Sequence, residues 1–452
     1  MKSKDQTKNQ KVWVVAVDMG YGHQRAADPL RQIAYGGQII NANNYSGIPK
    51  KDRDMWEGSR KGYEFISRFK NFPIIGNTAF NLFDDLQEIP TFYPKRDLSR
   101  PSLQVLYLMM MIKQKKWGQH LINKLARKKL PLITTFFTVA FMAEHFDYPG
   151  EIYLVATDTD ISRAWVSIDP KKSRIRYFAP STRVVERLKD YGVAEDKIFL
   201  TGFPLPTELL GNEKLDTLRA DLAKRLVNLD PNREYINRYE DSIMHHLGQK
   251  NLPKTKSDHI LTVMFAVGGA GAQREVGVAI IKSLIAQIQN KKIRVILVAG
   301  THKDIKKYFN EEVAKLGLEK EVGTGIKILH SLNKEGYFRD FNKALRKTDI
   351  LWTKPIELSF YTALGLPIIM SDPVGSQEKF NRHWLLMIGS GIEQDDPRYA
   401  NEWLFDLINT GWLAEGAMKG FLEAPKFGTY NIEKVINYKE DEILKSRTEM
   451  QY

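Results

Sequence analysis

Ten short apolar runs, each leaving into a polar turn or a helical pattern, constrain what this chain can fold into. They are VWVVAV (12–17), PLITTFF (131–137), EIYLVAT (151–157), IRYFAP (175–180), KIFLTG (197–202), ILTVMFAV (260–267), IRVILVAG (293–300), GIKIL (325–329), DILWT (349–353) and PIIMSD (367–372). Short continuous apolar runs suit strands buried on both faces, and strands alternating with helices require crossovers and hence a parallel sheet. The series is interrupted once. GFPLPTELLG (202–211), with two prolines and two glycines, reads as a hinge, and the charged stretch 212–257 reads as a helical excursion. At 452 residues the chain exceeds one ordinary domain.

The expectation is an α/β protein of two Rossmann-like, doubly wound domains. The first covers 11–203. The second covers 204–399 and carries the insertion at 212–257. Helices over 400–452 are expected to pack back on the N-terminal domain, and residues 1–10 read as a loose, disordered tail. Open α/β sheets place their sites outside the carboxyl ends of the strands. Two such sheets facing across a hinge are expected to share a cleft.

The turns after the strands hold the candidate chemistry. DMGYGHQRAAD (18–28) leaves the first strand through Gly20 and Gly22 and sets His23 where a helix over 23–34 begins. A helix N-terminus disfavours the imidazolium, so His23 is expected to stay neutral and accept a proton. ATDTDISRAW (156–165) offers Asp158 and Asp160. Two carboxylates are few ligands for a divalent cation, so no metal is expected, and Asp158 reads as orienting a base. VGGAGAQRE (267–275) supplies Gly268, Gly269 and Gly271, where bare backbone amides can approach an anion. In WTKPIELSFYTALGLPIIMSDPVGSQEKFN (352–381), Thr353, Lys354 and Ser359 suit a phosphate or sugar, Glu357 suits sugar hydroxyls, and Gln377, Glu378 and Asn381 suit a neutral polyhydroxy group.

Charge adds a surface. The net charge is +13, and the first 150 residues carry 23 Lys and Arg against 13 Asp and Glu. Within them, VLYLMMMIKQKKWGQHLINKLARKKL (105–130) has seven basic residues and no acid. Leu106, Met109 and Met110 share a helical face, Lys113 and Lys116 follow, and Trp117 suits an interface; together these read as facing an anionic membrane. The stretch carries no repeated aromatic stacking positions and the chain no nucleic-acid motif, so nucleic acid is not the expected partner. There is no cysteine, which removes disulfide and thiolate chemistry. The apolar runs are too short to span a bilayer, and the first ten residues lack the apolar core of a signal peptide. A soluble, cytoplasmic chain, peripherally attached to the membrane, is expected.

Together these segments resemble a GT-B glycosyltransferase of the group containing MurG, monogalactosyldiacylglycerol synthase and the diacylglycerol glucosyltransferases. GYGHQRAA is similar to the group's glycine–glycine–histidine turn. TDTDISRAWV with YFAPSTRVVERLKDYGVAEDKIFLTGFPLP is similar to its pattern through the interdomain hinge, and TKP…ALGLPIIMSDPVGSQEKFN to its donor-binding segment. The resemblance implies transfer, with inversion, of a sugar from a nucleotide-sugar, usually UDP-linked, to a lipid or other amphiphilic acceptor, with no further cofactor. It puts His23 near the reacting centre. It places Gly268, Gly269, Gly271, Thr353, Lys354 and Ser359 by the diphosphate, and Gln377, Glu378 and Asn381 by the sugar. Four positions depart from the pattern. Ile356 and Glu357 replace two glycines, Thr362 replaces a ribose-binding glutamate, and Ser162 replaces a histidine. A nucleotide-sugar epimerase on the same fold, and a non-catalytic nucleotide- or lipid-binding relative, are the rival readings.

Overall fold

A computed structural model describes residues 10–69, 89–266, 273–373 and 375–437. The chain divides into two compact units, one of Met1–Leu205, Val374–Phe380 and Phe427–Tyr452, the other of Pro206–Pro373 and Asn381–Lys426.

The first unit holds a six-stranded sheet of β1 (Val12–Ala16), β2 (Ala34–Asn41), β3 (Leu132–Thr134), β4 (Ile152–Val155), β5 (Ile175–Ala179) and β6 (Ile198–Leu200), in the order β2-β1-β3-β4-β5-β6. Every pairing is parallel. Side chains alternate between two cores, as the pleat requires. Ile152 and Leu154 join one cluster, while Tyr153 and Val155 join the other. Both faces are therefore covered, which is why these strands read as unbroken apolar runs. The segment expected over 400–452 is shared between the units. Its helix Gly428–Asn437 places Ile432, Val435 and Ile436 in the second core of the first unit. Burial of each such side chain is worth about 1.5–3 kcal/mol. Asn431 Nδ2 donates to Thr201 O at 2.9 Å and Thr429 Oγ1 to Leu205 O at 2.6 Å.

The second unit repeats the plan with β7 (Leu261–Ala266), β8 (Ile293–Gly300), β9 (Ile326–His330), β10 (Ile350–Thr353), β11 (Ile368–Met370) and β12 (Gly391–Glu393), ordered β12-β11-β10-β7-β8-β9 and also parallel throughout. The insertion is helical over Asp216–Leu229, Glu234–Arg238 and Glu240–Leu247. Arg225, fully buried, anchors it by donating to Thr348 O at 2.8 Å, Leu364 O at 2.7 Å and Gly365 O at 3.1 Å. These are carbonyls left over at turn and helix ends, which must find donors.

Below the amino ends of β7 and β10, His259 is bracketed by Asp258 Oδ1 at 2.8 Å and Asp349 Oδ1 at 3.0 Å. Burial opposes protonation, but the two carboxylates outweigh it and raise the imidazole pKa above its usual 6.5. A raised folded-state value means this contribution is complete below about pH 6.5, the unfolded value, and is lost as pH rises through the higher folded value. Chemical denaturation at pH 6 and pH 9 is expected to show a loss of stability with rising pH that His259→Asn reduces; an unchanged pH dependence in the variant would remove His259 as its source.

Candidate functional site

In the first sheet the chain leaves β1 to pair β2 on one side and later returns to pair β3 on the other. The gap between the carboxyl ends of β1 and β3 is thus a topological switch point, where such sheets bind ligands. His23 lies there. Gly20, at φ 111°, makes the turn that leads to it, in a conformation L side chains rarely adopt. Asn43 braces the same turn, accepting from Asp18 N at 2.9 Å and donating to Asp18 O at 3.0 Å.

His23 Nδ1 lies 2.7 Å from Thr135 O, directly after β3. A carbonyl only accepts, so Nδ1 carries the proton and Nε2 holds a lone pair. Nε2 has no hydrogen-bond partner among the described residues. Thr135 Oγ1 donates back to His23 O at 2.8 Å. Phe136 packs edge-on against the imidazole at 4.8 Å, and Trp165 lies 6.2 Å away. Burial lowers the His23 pKa to about 4, the Thr135 carbonyl opposing it only in part. From the sequence, a helix dipole is the expected cause of the neutral form. The helix is only Gly22–Ala27, with a 3-10 continuation over Asp28–Gln32, and burial is what keeps the ring uncharged. Thr135 and Phe136 are partners that no motif in the sequence marks; the polar TT inside the apolar run PLITTFF is the available signal.

Asp158 is half-buried after β4, in the loop that brings Trp165 to His23. Asp160 is committed elsewhere. Its carboxylate takes two bonds from Arg187, at 2.8 and 2.9 Å, and one from Ile161 N. Among the described residues no three His, Asp or Glu converge as a metal site.

In the second unit the switch point lies between β7 and β10. Gly268, Gly269 and Gly271 lie outside the described residues. The segment after β10 differs from expectation. It forms a 3-10 helix over Glu357–Leu364 with all eight residues buried. Thr353 Oγ1 donates to Ala266 O at 3.1 Å, tying the ends of β10 and β7. Ser359 and Thr362 are wholly buried, and Thr362 packs so closely on Gly420 that a Cβ there would meet its Oγ1 at 2.1 Å. Asn381 is buried and donates to Pro355 O at 3.2 Å. Thr353, Ser359, Thr362 and Asn381 therefore shape this loop from within rather than offering open ligand groups, a correction to the sequence reading. Glu357 is buried too, while Lys354, Gln377 and Glu378 keep partial exposure. Gln377 and Glu378 group with the first unit and Asn381 with the second. A polar trio not singled out in the sequence stands at the end of β11. Ser371 Oγ donates to Gln273 Oε1 at 2.8 Å, and Gln273 Nε2 donates to Asp372 O at 3.1 Å.

The proposed membrane face also needs correction. Trp117 is buried against Trp56, ring centroids 4.6 Å apart, and Met109 packs on the core. The helix Leu103–Lys115 instead exposes Leu103, Leu106, Tyr107 and Met110, one stripe at helical spacing, with Lys113 and Lys116 exposed beyond it. No helix among the described residues is long and apolar enough to cross a membrane.

A family model described as a domain of unknown function, DUF6938, matches residues 235–337. A processive diacylglycerol beta-glucosyltransferase of Staphylococcus carnosus is 24% identical over 292 residues, 64% of this chain; the chain spans only 61% of that relative's length. One from Bacillus subtilis is 22% identical over 396 residues, 85% of this chain and 83% of its own. Among solved structures, a UDP-GlcNAc 2-epimerase from Neisseria meningitidis bound to UDP-GlcNAc is similar over 96% of this chain and 100% of its own, at 11% identity and a TM-score of 0.48. The resemblance to diacylglycerol glucosyltransferases read from the motifs is borne out by these sequence relatives.

Proposed function

We propose that the protein is an inverting glycosyltransferase that moves a sugar from a nucleotide-sugar, UDP-linked, to the hydroxyl of a lipid or other amphiphilic acceptor at an anionic membrane surface. The observation that carries this reading is the His23 imidazole, held neutral with its Nε2 lone pair uncommitted at the switch point of the first sheet. The similarity to diacylglycerol beta-glucosyltransferases supplies the substrate classes.

In the proposed reaction Nε2 takes the proton of the acceptor hydroxyl as its oxygen bonds to the anomeric carbon. The bond from that carbon to the diphosphate oxygen breaks, and the electron pair leaves with the diphosphate. A base within hydrogen-bond reach contributes typically 10²–10⁴-fold. Within the second unit, Lys354 and the amides that begin the helix Arg274–Ser283 are the groups we assign to the donor's diphosphate. Gln377 and Glu378 serve the donor sugar, Asp158 orients the acceptor side, and no cofactor beyond the co-substrate is invoked.

Membrane attachment is assigned to the stripe Leu103, Leu106, Tyr107 and Met110, with Lys113 and Lys116 meeting anionic headgroups. Each basic residue near such a surface adds about 1 kcal/mol. The double variant L106E/Y107E is expected to lose most cosedimentation with anionic vesicles while keeping its melting temperature. Undiminished binding would assign the contact to another face.

The function is tested by mass-spectrometric product detection, using vesicles containing diacylglycerol with several UDP-sugars. A glycosylated lipid that requires both substrates is expected. Donor conversion without acceptor would indicate an epimerase, and nucleotide binding without turnover a non-catalytic relative.

A further inference from the structure

The second unit carries a polar and aromatic groove away from its donor loops. Asp230 sets one wall. Its Oδ1 accepts from Glu234 N at 2.8 Å and its Oδ2 from Ile236 N at 2.7 Å, fixing the short helix Glu234–Arg238. Tyr235 and Tyr239 stand along it with ring centroids 4.8 Å apart. The other wall is the start of the helix Trp412–Glu423. Gly411, at φ 76°, lets the walls meet, since a Cβ there would come within 3.0 Å of Tyr235 Cβ. Between them is a cavity of about 230 Å³ lined by Glu234, Tyr235, Arg238, Tyr239, Trp412 and Glu415. Trp412 is 63% exposed and Tyr239 43%, so both rings present a face to solvent.

A second cavity of about 580 Å³ also has Asn409 in its lining. It is lined by Ile260 and Leu261 at the amino end of β7 and by Lys291 and Lys292 just before β8. It therefore opens at the opposite end of the sheet from Lys354 and Gln273. The smaller cavity falls below the roughly 300–1,000 Å³ that enclose a whole drug-sized ligand, so it suits one part of a longer chain.

We infer that this groove is a binding site for a glycan chain, separate from the proposed transfer site. Exposed ring faces stack on the C–H faces of pyranose rings, and the polar groups match hydroxyls, which both donate and accept. In the smaller cavity the charges disfavour other ligands. Two carboxylates repel an anion. A cation meets the Arg238 guanidinium, and Glu415 is already paired with Lys419 at 2.6 Å. The inference goes beyond the transferase reading and does not depend on turnover.

The test is binding to the full chain without nucleotide-sugar, by calorimetry and saturation-transfer NMR. The probes are cellotetraose and maltotetraose and, separately, phosphatidylcholine vesicles containing a diglucosyl lipid. At least one probe is expected to bind. Trp412→Ala and Tyr239→Ala, both at exposed positions, are each expected to weaken that binding by about tenfold or more, leaving melting temperature and UDP affinity unchanged. A response only to vesicles would identify a lipid-borne headgroup as the glycan source; a response to tetrasaccharides, a free chain. No binding of any probe, or binding unaltered in Trp412→Ala, overturns the inference, while failure of UDP to bind would count against the transferase reading alone.

Discussion

His23→Ala is expected to lower kcat of sugar transfer by about 10²–10⁴-fold, the usual worth of a positioned base. His23→Gln, which keeps an N–H for the Thr135 carbonyl, is expected to fall nearly as far, because it restores the hydrogen bond without restoring a basic nitrogen. The pH profile is the sharper readout. A base works only when deprotonated, and burial has already lowered the His23 pKa to about 4. Activity is therefore expected to stay level from about pH 5 to 8 and to decline only in more acidic solution. A descending limb centred near 6.5 would mean that the working histidine is solvated or is a different one.

The second large effect is on stability. Arg187 and Asp160 form a bidentate pair with both side chains at or below 1% exposure. Arg187 also lies over the Phe92 ring, 3.8 Å from its centroid. Asp160→Ala leaves a guanidinium buried without its counter-charge. Breaking such a pair destabilises by about 3–5 kcal/mol, whereas replacing both partners by apolar residues is often neutral. Asp160→Ala is expected to lose that amount in urea denaturation, and the double change Asp160→Leu/Arg187→Met to recover most of it. A single variant within about 1 kcal/mol of the native protein would show that water reaches and solvates the arginine.

Asp160 also shows where sequence reasoning stops. TDTD invites a metal or catalytic reading, yet one of its acids is spent on an arginine 27 residues away that no local pattern signals. The strands buried on both faces were legible because their apolar runs are unbroken. β2 was not, because AYGGQIIN carries Gly36 and Gly37 at positive φ, lies at the sheet edge and is mostly solvent-facing. β12, three residues long, was too short to signal itself. Trp117 follows lysines and looks interfacial, but its burial is decided by Trp56, a long-range contact. Likewise, Thr362 aligns with a ribose contact, yet Gly420 permits a helix to close over it. The place of His23, at the start of the helix after β1, was legible through its glycine-flanked turn. Its tautomer was not, since that depends on a carbonyl 112 residues further along the chain.

The claim on which the mechanism rests is that His23 is neutral with its proton on Nδ1. Long-range ¹H–¹⁵N correlation spectra of histidine-labelled protein, assigned by comparison with His23→Gln and recorded from about pH 3 to 8, read both properties at once. A protonated Nδ1, an unprotonated Nε2 and a midpoint near 4 are expected. A proton on Nε2, or titration near 6.5, would contradict that claim.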